Sequence, residues 1–167
     1  YDVTIYDRMQ RTLRDRGWIE TNEILKSGIT AGTALEIGPG PGYLGLEWLK
    51  KTENTFLRGL DLSINMIRLA EQHAVEYGLT GRAEYALGNG AELPFPDESF
   101  DAVFSNGSLH EWSDFKNTSR EIHRVLKPGG RIFISDLKRD MNFLVKWFLW
   151  LTSKPKEIRP GLLTSIA

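Results

Sequence analysis

The sequence predicts an α/β fold in which helices cover both faces of one doubly wound, mostly parallel sheet. Short apolar runs alternate with helical patterns along most of the chain, as in repeated strand–helix–strand units. A glycine-rich turn over residues 38–42 follows the first apolar run, and a helical pattern follows the turn directly. The chain has 167 residues, which is the length of one domain with a sizeable core.

The composition excludes several classes of protein. The net charge is −1, so no basic field attracts nucleic acid, and we expect no nucleic-acid partner. The chain has no cysteine, which excludes disulfides, thiolate metal sites and a cysteine nucleophile, and no metal site is expected. No apolar run approaches the roughly 20 residues of a membrane span, and no secretory leader is visible. We therefore expect no transmembrane segment and a cytoplasmic location.

We expect a single domain over residues 1–167, and its first part is an N-terminal helical cap over residues 1–30. An interrupted apolar face over residues 4–27 predicts helix, which Gly17 divides in two and Gly28 ends. Most of this cap has the pattern of a packing helix. Two of its residues could still reach a ligand from above, Tyr6 and Arg8.

The core, residues 31–137, alternates apolar runs typical of strands with amphipathic stretches typical of helices. Ser63 is placed to cap the helix after the second strand, and residues 127–130 stop the last core helix because proline lacks an amide hydrogen. The strands are predicted at residues 34–37, 55–60, 83–87, 100–105 and 131–135, and the helices directly after the glycine turn, at 63–77 and at 117–126.

The third part, residues 138–167, is expected to be a C-terminal helix followed by a tail. Large apolar side chains are dense over residues 141–151, which predicts the helix. The tail from Lys154 contains two prolines and shows no clear strand.

The glycine turn has glycines at alternate positions, Gly38, Gly40 and Gly42. Backbone without a Cβ atom can adopt unusual φ angles and lets a ligand approach the chain, and a helix start offers free N–H groups. A tight strand-to-helix turn without a ligand is the alternative. Glu36, two positions before the first glycine, is the acidic residue that an S-adenosylmethionine (SAM) site carries there.

A dinucleotide site is a second ligand interpretation, because residues 40–45 satisfy the spacing G-x-G-x-x-G. That fingerprint begins at the first glycine directly after the strand. Beginning it at Gly40 leaves Pro39 at the end of an interior strand, where proline is poorly placed. Beginning it at Gly38 puts Tyr43 where the third glycine belongs, so the SAM interpretation is favoured.

Two further residues at strand ends are candidates for chemistry. Asp61 lies 19 residues after Gly42, near the spacing at which such a unit presents a carboxylate to ribose hydroxyls. A helix cap is the alternative role, but Ser63 can serve as the cap. His110, with Glu111 beside it, follows the fourth strand and is the best candidate for a general base; shaping the pocket or capping the next helix are the alternatives.

The other two histidines are not candidates for the site. His73 and His123 fall within predicted helices, and we expect both at the surface.

Three segments together resemble one family. Residues 35–42, 91–103 and 120–130 are similar in order and spacing to the motifs of class I SAM-dependent methyltransferases, in particular the small type-11 methyltransferase-domain family. The resemblance extends over about residues 33–136. It implies a Rossmann-like class I methyltransferase fold, in which the two further strands usual after the fifth are not identified in this sequence.

The resemblance also implies roles by position. Glu36 and the backbone of the glycine turn are implied to hold the methionine end of SAM, and Asp61 to hold the ribose. The sequence departs from the family at Asn89, where an aspartate is usual. Asn89 keeps a carbonyl acceptor for the adenine amino group but lacks the charge. Leu62 and Met66 are implied to lie against the adenine, and Asn106 and Gly107 to face the sulfonium. The residues that the resemblance implies for cofactor binding are Glu36, Gly38, Gly40, Gly42, Asp61, Leu62, Met66, Asn89, Gly90, Ala91, Asn106 and Gly107.

The implied reaction is methyl transfer from SAM to a small-molecule acceptor by direct in-line displacement, with S-adenosyl-L-homocysteine as product. Aromatic residues around Trp112 and residues 141–151 favour an apolar acceptor slightly. Two alternatives stay open: a non-catalytic SAM-binding or scaffold protein on this fold, and an NAD-dependent oxidoreductase. Since no further strand is predicted after the fifth, its edge is expected to be uncovered, and we expect a homodimer through the C-terminal region. Two alternatives to this dimer stay open: residues 141–151 fold back onto the sheet while the tail covers the edge, or a natural C-terminal extension is missing.

Overall fold

The computed structural model describes residues 2–137 and 163–166, and the helix predicted at residues 141–151 lies outside them. The elements alternate as the sequence predicts. They are α1 (Val3–Asp15), α2 (Thr21–Lys26), β1 (Gly32–Ile37), α3 (Tyr43–Lys50), β2 (Thr55–Asp61), α4 (Ile64–Glu76), β3 (Ala83–Leu87), β4 (Phe100–Asn106), a short 3₁₀ turn (Leu109–Glu111), α5 (Phe115–Val125), β5 (Leu126–Leu137) and β6 (Leu163–Ile166).

One sheet of six strands forms the centre, in the order β3-β2-β1-β4-β5-β6. Strands β1 to β5 are mutually parallel, and β6 pairs antiparallel with β5. The direction of winding reverses between β1 and β4, which is where ligands bind in open sheets of this kind. The predicted doubly wound, mostly parallel α/β fold is confirmed.

Apolar side chains cover both faces of the sheet. One cluster packs under α2, α3 and α4 around Trp48 and Phe104, whose rings meet edge to face. The other packs under α5 around Val103 and Ile122. Because residues along β1 alternate between these two clusters, its carboxyl end is rigidly placed and its last side chains are buried.

The predicted N-terminal helices are also present. Asp2 caps α1 by accepting hydrogen bonds from the amides of Thr4 and Ile5. Gly17, at φ 69°, lies between α1 and α2, and Gly28, at φ 85°, follows α2, as expected for residues that end helices. No helix within the described residues combines the length and the apolar character that crossing a membrane requires.

Two of the predicted boundaries that differ from the structure have a clear physical cause. Helix α5 begins at Phe115, two residues earlier than predicted, because the side chain of Asp114 caps it by accepting from the amide of Asn117. Strand β5 begins at Leu126 instead of residue 131, since Leu126 already pairs with Phe100 before a register shift around residues 127–130.

The prediction that the tail holds no strand is wrong. Strand β6 pairs with β5 from Ile134 to Leu137, so the chain covers this part of the edge itself. The described residues thus include a strand beyond the fifth, where the sequence analysis identified none. The expectation of a wholly uncovered edge is corrected accordingly.

The expected surface position of His73 is also wrong, since its side chain is buried in α4. The imidazole ring stacks on Tyr43 and lies against the glycine turn. A polar residue of the amphipathic helix α4 therefore faces inward at this position. His123 is exposed on α5, as predicted.

Candidate functional site

A narrow cleft lies at the carboxyl ends of β1 and β2, beside the loop that follows β4. Its volume is about 60 Å³. This is the position at which the reversal of strand order predicts a ligand site. The residues that line it are Ile37, Gly38, Leu60, Asp61, Leu62, Gly88, Asn89, Gly90, Ser108, Glu111, Trp112, Ser113 and Thr118.

The glycine turn forms one wall and requires its glycines. Gly38, Gly40 and Gly42 have φ angles of 71°, 53° and 83°, in the left-handed region that other residues rarely adopt. A Cβ atom on Gly38 would lie 2.5 Å from the Cβ atom of Ser108, and one on Gly42 would lie 2.9 Å from the hydroxyl of Tyr85. The alternating pattern therefore has both a conformational and a steric cause.

Asp61 links this turn to the end of β2. Its Oδ2 accepts a hydrogen bond of 3.0 Å from the amide of Gly40, and its Oδ1 accepts one of 2.9 Å from the amide of Ser63. A carboxylate oxygen can accept more than one hydrogen bond, so both oxygens keep acceptor capacity towards the cleft. The carboxylate thus orders the turn and presents negative charge where a diol could bind.

Glu36 lies behind the turn instead of in the cleft. Its side chain is 2% exposed, and a Cβ atom on Gly45 would collide with it. Burial, with the negative charge of Asp61 adding to it, raises the pKa of Glu36 to about 8, although the amide of Gly45 hydrogen-bonds to the carboxyl group and opposes the shift. Its Oε2 has no hydrogen-bond partner among the described residues. Glu36 is placed to support the turn from below.

The loop after β4 forms the opposite wall. Ser105 and Ser108 each donate a hydroxyl hydrogen bond to the carbonyl of Ile37, at 2.8 and 3.1 Å, and their hydroxyls lie 2.6 Å apart. The indole N–H of Trp112 donates to the Ser108 hydroxyl at 3.1 Å. These bonds hold the loop down against the end of β1 and account for the small volume of the cleft.

His110 is fixed in the same loop by a buried carboxylate. Its backbone amide donates to Oδ2 of Asp136 at 2.8 Å, and its Nδ1 lies 3.0 Å from the same oxygen. Asp136 is 4% exposed at the end of β5. Because a carboxylate accepts, Nδ1 carries the proton, and Nε2 is the nitrogen that can take up another. Nε2 lies 3.9 Å from Oε1 of Glu111 on the exposed side.

Asn89 uses its side chain locally. Its Oδ1 accepts a 3.0 Å hydrogen bond from the amide of Ala91, which closes a turn at the rim of the cleft. The oxygen retains a second lone pair, so the adenine role implied for it remains sterically open.

The predicted site residues divide into two groups. Gly38, Asp61, Leu62, Asn89 and Gly90 line the cleft. The others are not among the described residues that line it, namely Glu36, Gly40, Gly42, Met66, Ala91, Asn106, Gly107 and His110.

Sequence reasoning missed several residues of this site. Ser108 and Trp112 line the cleft, and Asp136 holds His110. The available signals were the polar and aromatic character of residues 106–112 and the carboxylate at the end of the fifth strand. Neither signal specified which residues would meet, because the contacts join distant parts of the chain.

Comparisons with known proteins agree with this geometry. A family model described as a methyltransferase domain matches residues 35–134, more than half of the chain. The demethylmenaquinone methyltransferase of Bacillus licheniformis is 30% identical over 150 residues, which are 87% of this chain and 63% of that protein.

Solved structures show the same fold. A proposed SAM-dependent methyltransferase of Methanococcus maripaludis superposes with a TM-score of 0.77 at 28% identity, over 92% of this chain and 71% of that one. The [4+2]-cyclase SpnF superposes with a TM-score of 0.67 at 31% identity, over 72% of this chain and 45% of that one.

The chain spans 39–63% of the length of the first three curated relatives that it matches. The matched part nevertheless contains the glycine turn, Asp61, Asn89 and the loop after β4. The chain therefore belongs to the class I SAM-dependent methyltransferase family.

Proposed function

We propose that this chain transfers the methyl group of SAM to a small-molecule acceptor. The observation that supports this most is the carboxylate of Asp61, which lines the cleft and is hydrogen-bonded to the positive-φ turn at Gly40. A carboxylate beside exposed turn backbone suits a ligand that carries both a diol and a polar tail. The family match favours SAM over a dinucleotide for that ligand.

The residues present fit SAM chemically, but the cleft requires opening. Its 60 Å³ is well below the roughly 300 Å³ of a pocket that encloses a drug-sized ligand. Three hydrogen bonds of Ser105, Ser108 and Trp112 hold the facing loop in place. We infer that this loop moves away from Gly38 when the cofactor binds.

When bound, SAM supplies an electrophilic methyl group on a sulfonium. The chain's own task is to align an acceptor with that group and to exclude water. Asp61, the turn around Gly38 and Asn89 are the groups that hold the cofactor in this proposal. Trp112 is placed to cover the reacting end, because it lines the cleft from the loop side.

His110 is proposed as the general base for an acceptor that arrives protonated. Asp136 fixes the imidazole with Nδ1 protonated, so the free Nε2 takes the acceptor proton while the new bond to carbon forms. Asp136 is a positioning residue here, since its contacts are to the ring and to the backbone of His110. His110 is 44% exposed in its side chain and can meet an acceptor that enters from solvent.

The acceptor is proposed to be apolar and aromatic. Phe115 stacks on Trp112 beside the cleft and is 59% exposed, and Leu62 at its rim is 67% exposed. Exposed apolar side chains at a cleft mouth favour an apolar ligand. Relatives named as demethylmenaquinone methyltransferases and as ubiquinone/menaquinone C-methyltransferases make a quinol the first acceptor to test.

Two measurements test the proposal. Calorimetry with SAM tests the cofactor, and mass spectrometry of acceptor panels containing quinols, phenols and amines tests transfer. A His110→Asn variant should lose about 10²–10⁴-fold in kcat if the acceptor needs a base, with unchanged SAM affinity. His123→Asn, an exposed histidine on α5, is the matched control and should retain full activity. Failure of the parent chain to bind SAM would refute the proposal.

A second function is favoured by one comparison. A structure of this fold at 31% identity is that of a [4+2]-cyclase, so the fold does not fix methyl transfer. A chain that binds SAM but consumes none with any acceptor would have such a role, or the scaffold role expected as the alternative from the sequence. Measuring S-adenosyl-L-homocysteine separates these outcomes.

The predicted homodimer and the predicted cytoplasmic location remain proposals. A wholly free edge of β5 no longer supports a homodimer through the C-terminal region, because β6 pairs with part of β5. Exchange of the C-terminal segment between two copies is the remaining route. The cytoplasmic location expected from the sequence also stays a prediction.

A further inference from the structure

A chain of polar contacts, partly buried at Asp7 and buried at His73, joins α1 to the glycine turn. Asp7 on α1 accepts a 2.9 Å hydrogen bond from the hydroxyl of Tyr43, the first residue of α3. That hydroxyl lies 3.1 Å from Nε2 of His73, and Nδ1 of the same ring lies 2.7 Å from the carbonyl oxygen of Pro41. Pro41 lies between Gly40 and Gly42, so the chain ends within the turn itself.

The hydrogen-bond partners of His73 and Tyr43 determine which of their atoms carry protons. A carbonyl oxygen only accepts, so Nδ1 of His73 carries a proton. Burial and the hydrogen bond to Asp7 raise the pKa of Tyr43 to about 12, so its hydroxyl keeps its proton at neutral pH. The Tyr43 and His73 rings also stack, with centroids 4.5 Å apart. Since the hydroxyl hydrogen is donated to Asp7, Nε2 of a neutral His73 is an acceptor, and the guanidinium of Arg11, with Nη2 3.5 Å from Nε2, is the donor beside it.

Helix α1 is attached to the core mainly by polar contacts. Among its described residues none is fully buried. Arg14 lies over the Tyr43 ring, with its guanidinium carbon 4.7 Å from the centroid, and donates a 3.0 Å hydrogen bond to the hydroxyl of Tyr77. Since little apolar surface holds α1, loss of a single hydrogen bond should shift its docking measurably.

The same helix reaches the turn directly. A Cβ atom on Gly40 would lie 3.3 Å from a ring carbon of Tyr6, so this α1 side chain lies against the second glycine. The turn is thus contacted by α1 from above through Tyr6 and held from the side through Pro41. Undocking of α1 would remove the contact of Tyr6 with the turn and the hydrogen bond from Tyr43 to Asp7, and it would leave His73 of α4 as the remaining support at Pro41.

We propose that Tyr43 and His73 are positioning residues for the glycine turn, and that through them docking of α1 is coupled to cofactor binding. The helix holds the turn in its binding form, and the cofactor in return stabilises docked α1, because such coupling is reciprocal. The coupling to cofactor rests on the proposed SAM site. The link between α1 and the turn does not, and it is measurable without ligand.

The test uses two substitutions that preserve shape. Tyr43→Phe removes the hydroxyl that contacts Asp7 and His73, and Asp7→Asn removes the charge that faces Arg11 and His73 and leaves a weaker acceptor for Tyr43. Met9→Leu is the control, because Met9 lies on the same helix, is 42% exposed, and takes no part in the polar contacts from Asp7 to Pro41. Hydrogen exchange is followed for the amides of residues 3–15 and 38–46, with and without SAM. Calorimetry gives the SAM Kd, and thermal unfolding reports global stability.

In the ligand-free protein, Tyr43→Phe should speed exchange in both segments by about fivefold, the effect of one hydrogen bond, while the control matches the parent. SAM should protect α1 in the parent chain, and Kd should rise by a similar factor in Tyr43→Phe and Asp7→Asn. Where turnover is measurable, the KM for SAM should rise with kcat unchanged.

Unaltered exchange at residues 38–46 in Tyr43→Phe would overturn the link between α1 and the turn. Unchanged Kd in both variants, or SAM binding without protection of α1, would overturn the coupling. A parent chain that binds no SAM would refute the proposed function, and the ligand-free exchange data would still decide the structural link. Equal acceleration across the whole chain would indicate global destabilisation and contradict a positioning role.

Discussion

Asp61 has the largest expected effect of any residue in the cleft. Removing its carboxylate should weaken SAM binding by about 1.5–3 kcal/mol, the usual contribution of a hydrogen bond to a charged acceptor. Asp61→Ala should therefore raise the Kd measured by calorimetry about 10- to 100-fold. Asp97→Ala, an exposed carboxylate paired with Arg124, serves as control. Equal affinities for parent and Asp61→Ala would show that the diol binds elsewhere.

Glu36 should make stability depend on pH. Its pKa rises from an ordinary 4.5 to about 8 on folding, because burial disfavours the charged form. The folded state therefore binds a proton that the unfolded state has lost, and the contribution is fully present below pH 4.5 and lost as pH rises to about 8. A shift of this size corresponds to on the order of 4 kcal/mol.

The measurement is urea unfolding of the parent and of Glu36→Gln between pH 5 and pH 8. The parent should lose stability relative to the variant as pH rises, since glutamine cannot ionise. Glu53→Gln changes an exposed carboxylate and should follow the parent throughout. Parallel curves for parent and Glu36→Gln would mean that the buried carboxyl group does not titrate in this range.

At the scale of elements, the loop after β4 controls access to the cleft. Trp112 lines the cleft, and its indole N–H bonds to Ser108, whose side chain lies over Gly38. Since the cleft is far smaller than the pockets that enclose ligands of SAM's size, we expect SAM to displace this arrangement. We expect SAM to change the fluorescence of Trp112, and we expect the change to vanish in Trp112→Phe.

Stopped-flow fluorescence of the parent and of two single variants measures this. Trp18→Phe is the control, because Trp18 lies beyond α1 under Arg16 and away from the cleft. Its signal on SAM addition should match that of the parent. A full signal in Trp112→Phe would show that the loop stays in place and that another element opens.

For the whole molecule, β6 decides how the sheet ends. It pairs with β5 over Ile134–Leu137 and satisfies backbone groups that would otherwise face solvent or another chain. A chain truncated after residue 162 should therefore self-associate more than the full chain at micromolar concentration. Light scattering of both chains measures this. A truncated chain that stays as monomeric as the full chain would show that the edge is protected without β6.

A dimer of the full chain would indicate a different mode of association from a dimer of the truncated chain. Since β6 already occupies the edge of β5 within one chain, a dimer would favour exchange of C-terminal segments over edge-to-edge pairing. Light scattering of the full chain alone therefore tests the homodimer predicted from the sequence.

The sequence by itself determined the order of the elements from α1 to β5, the glycine turn and the acidic residue at the end of β2. These features are local. Alternation of apolar residues reports a strand, a glycine at positive φ reports a turn, and both signals lie within a few neighbouring residues. Asp61 was predictable because its distance from the turn is set by the length of one helix and one strand.

Only the tertiary structure decided which of these residues meet. His73 binds the carbonyl of Pro41 from 32 positions away, and Asp136 binds His110 from 26 positions away. Ser108 fills the space over Gly38 from 70 residues later in the chain, and β6 closes the edge of β5 from beyond residue 162. Such contacts depend on how strands are ordered and how helices are rotated, and neither leaves a periodic signal in the sequence. Gly38, Asp61, Leu62, Asn89 and Gly90 were predicted from the sequence and line the cleft, while the support behind them follows from packing between distant segments.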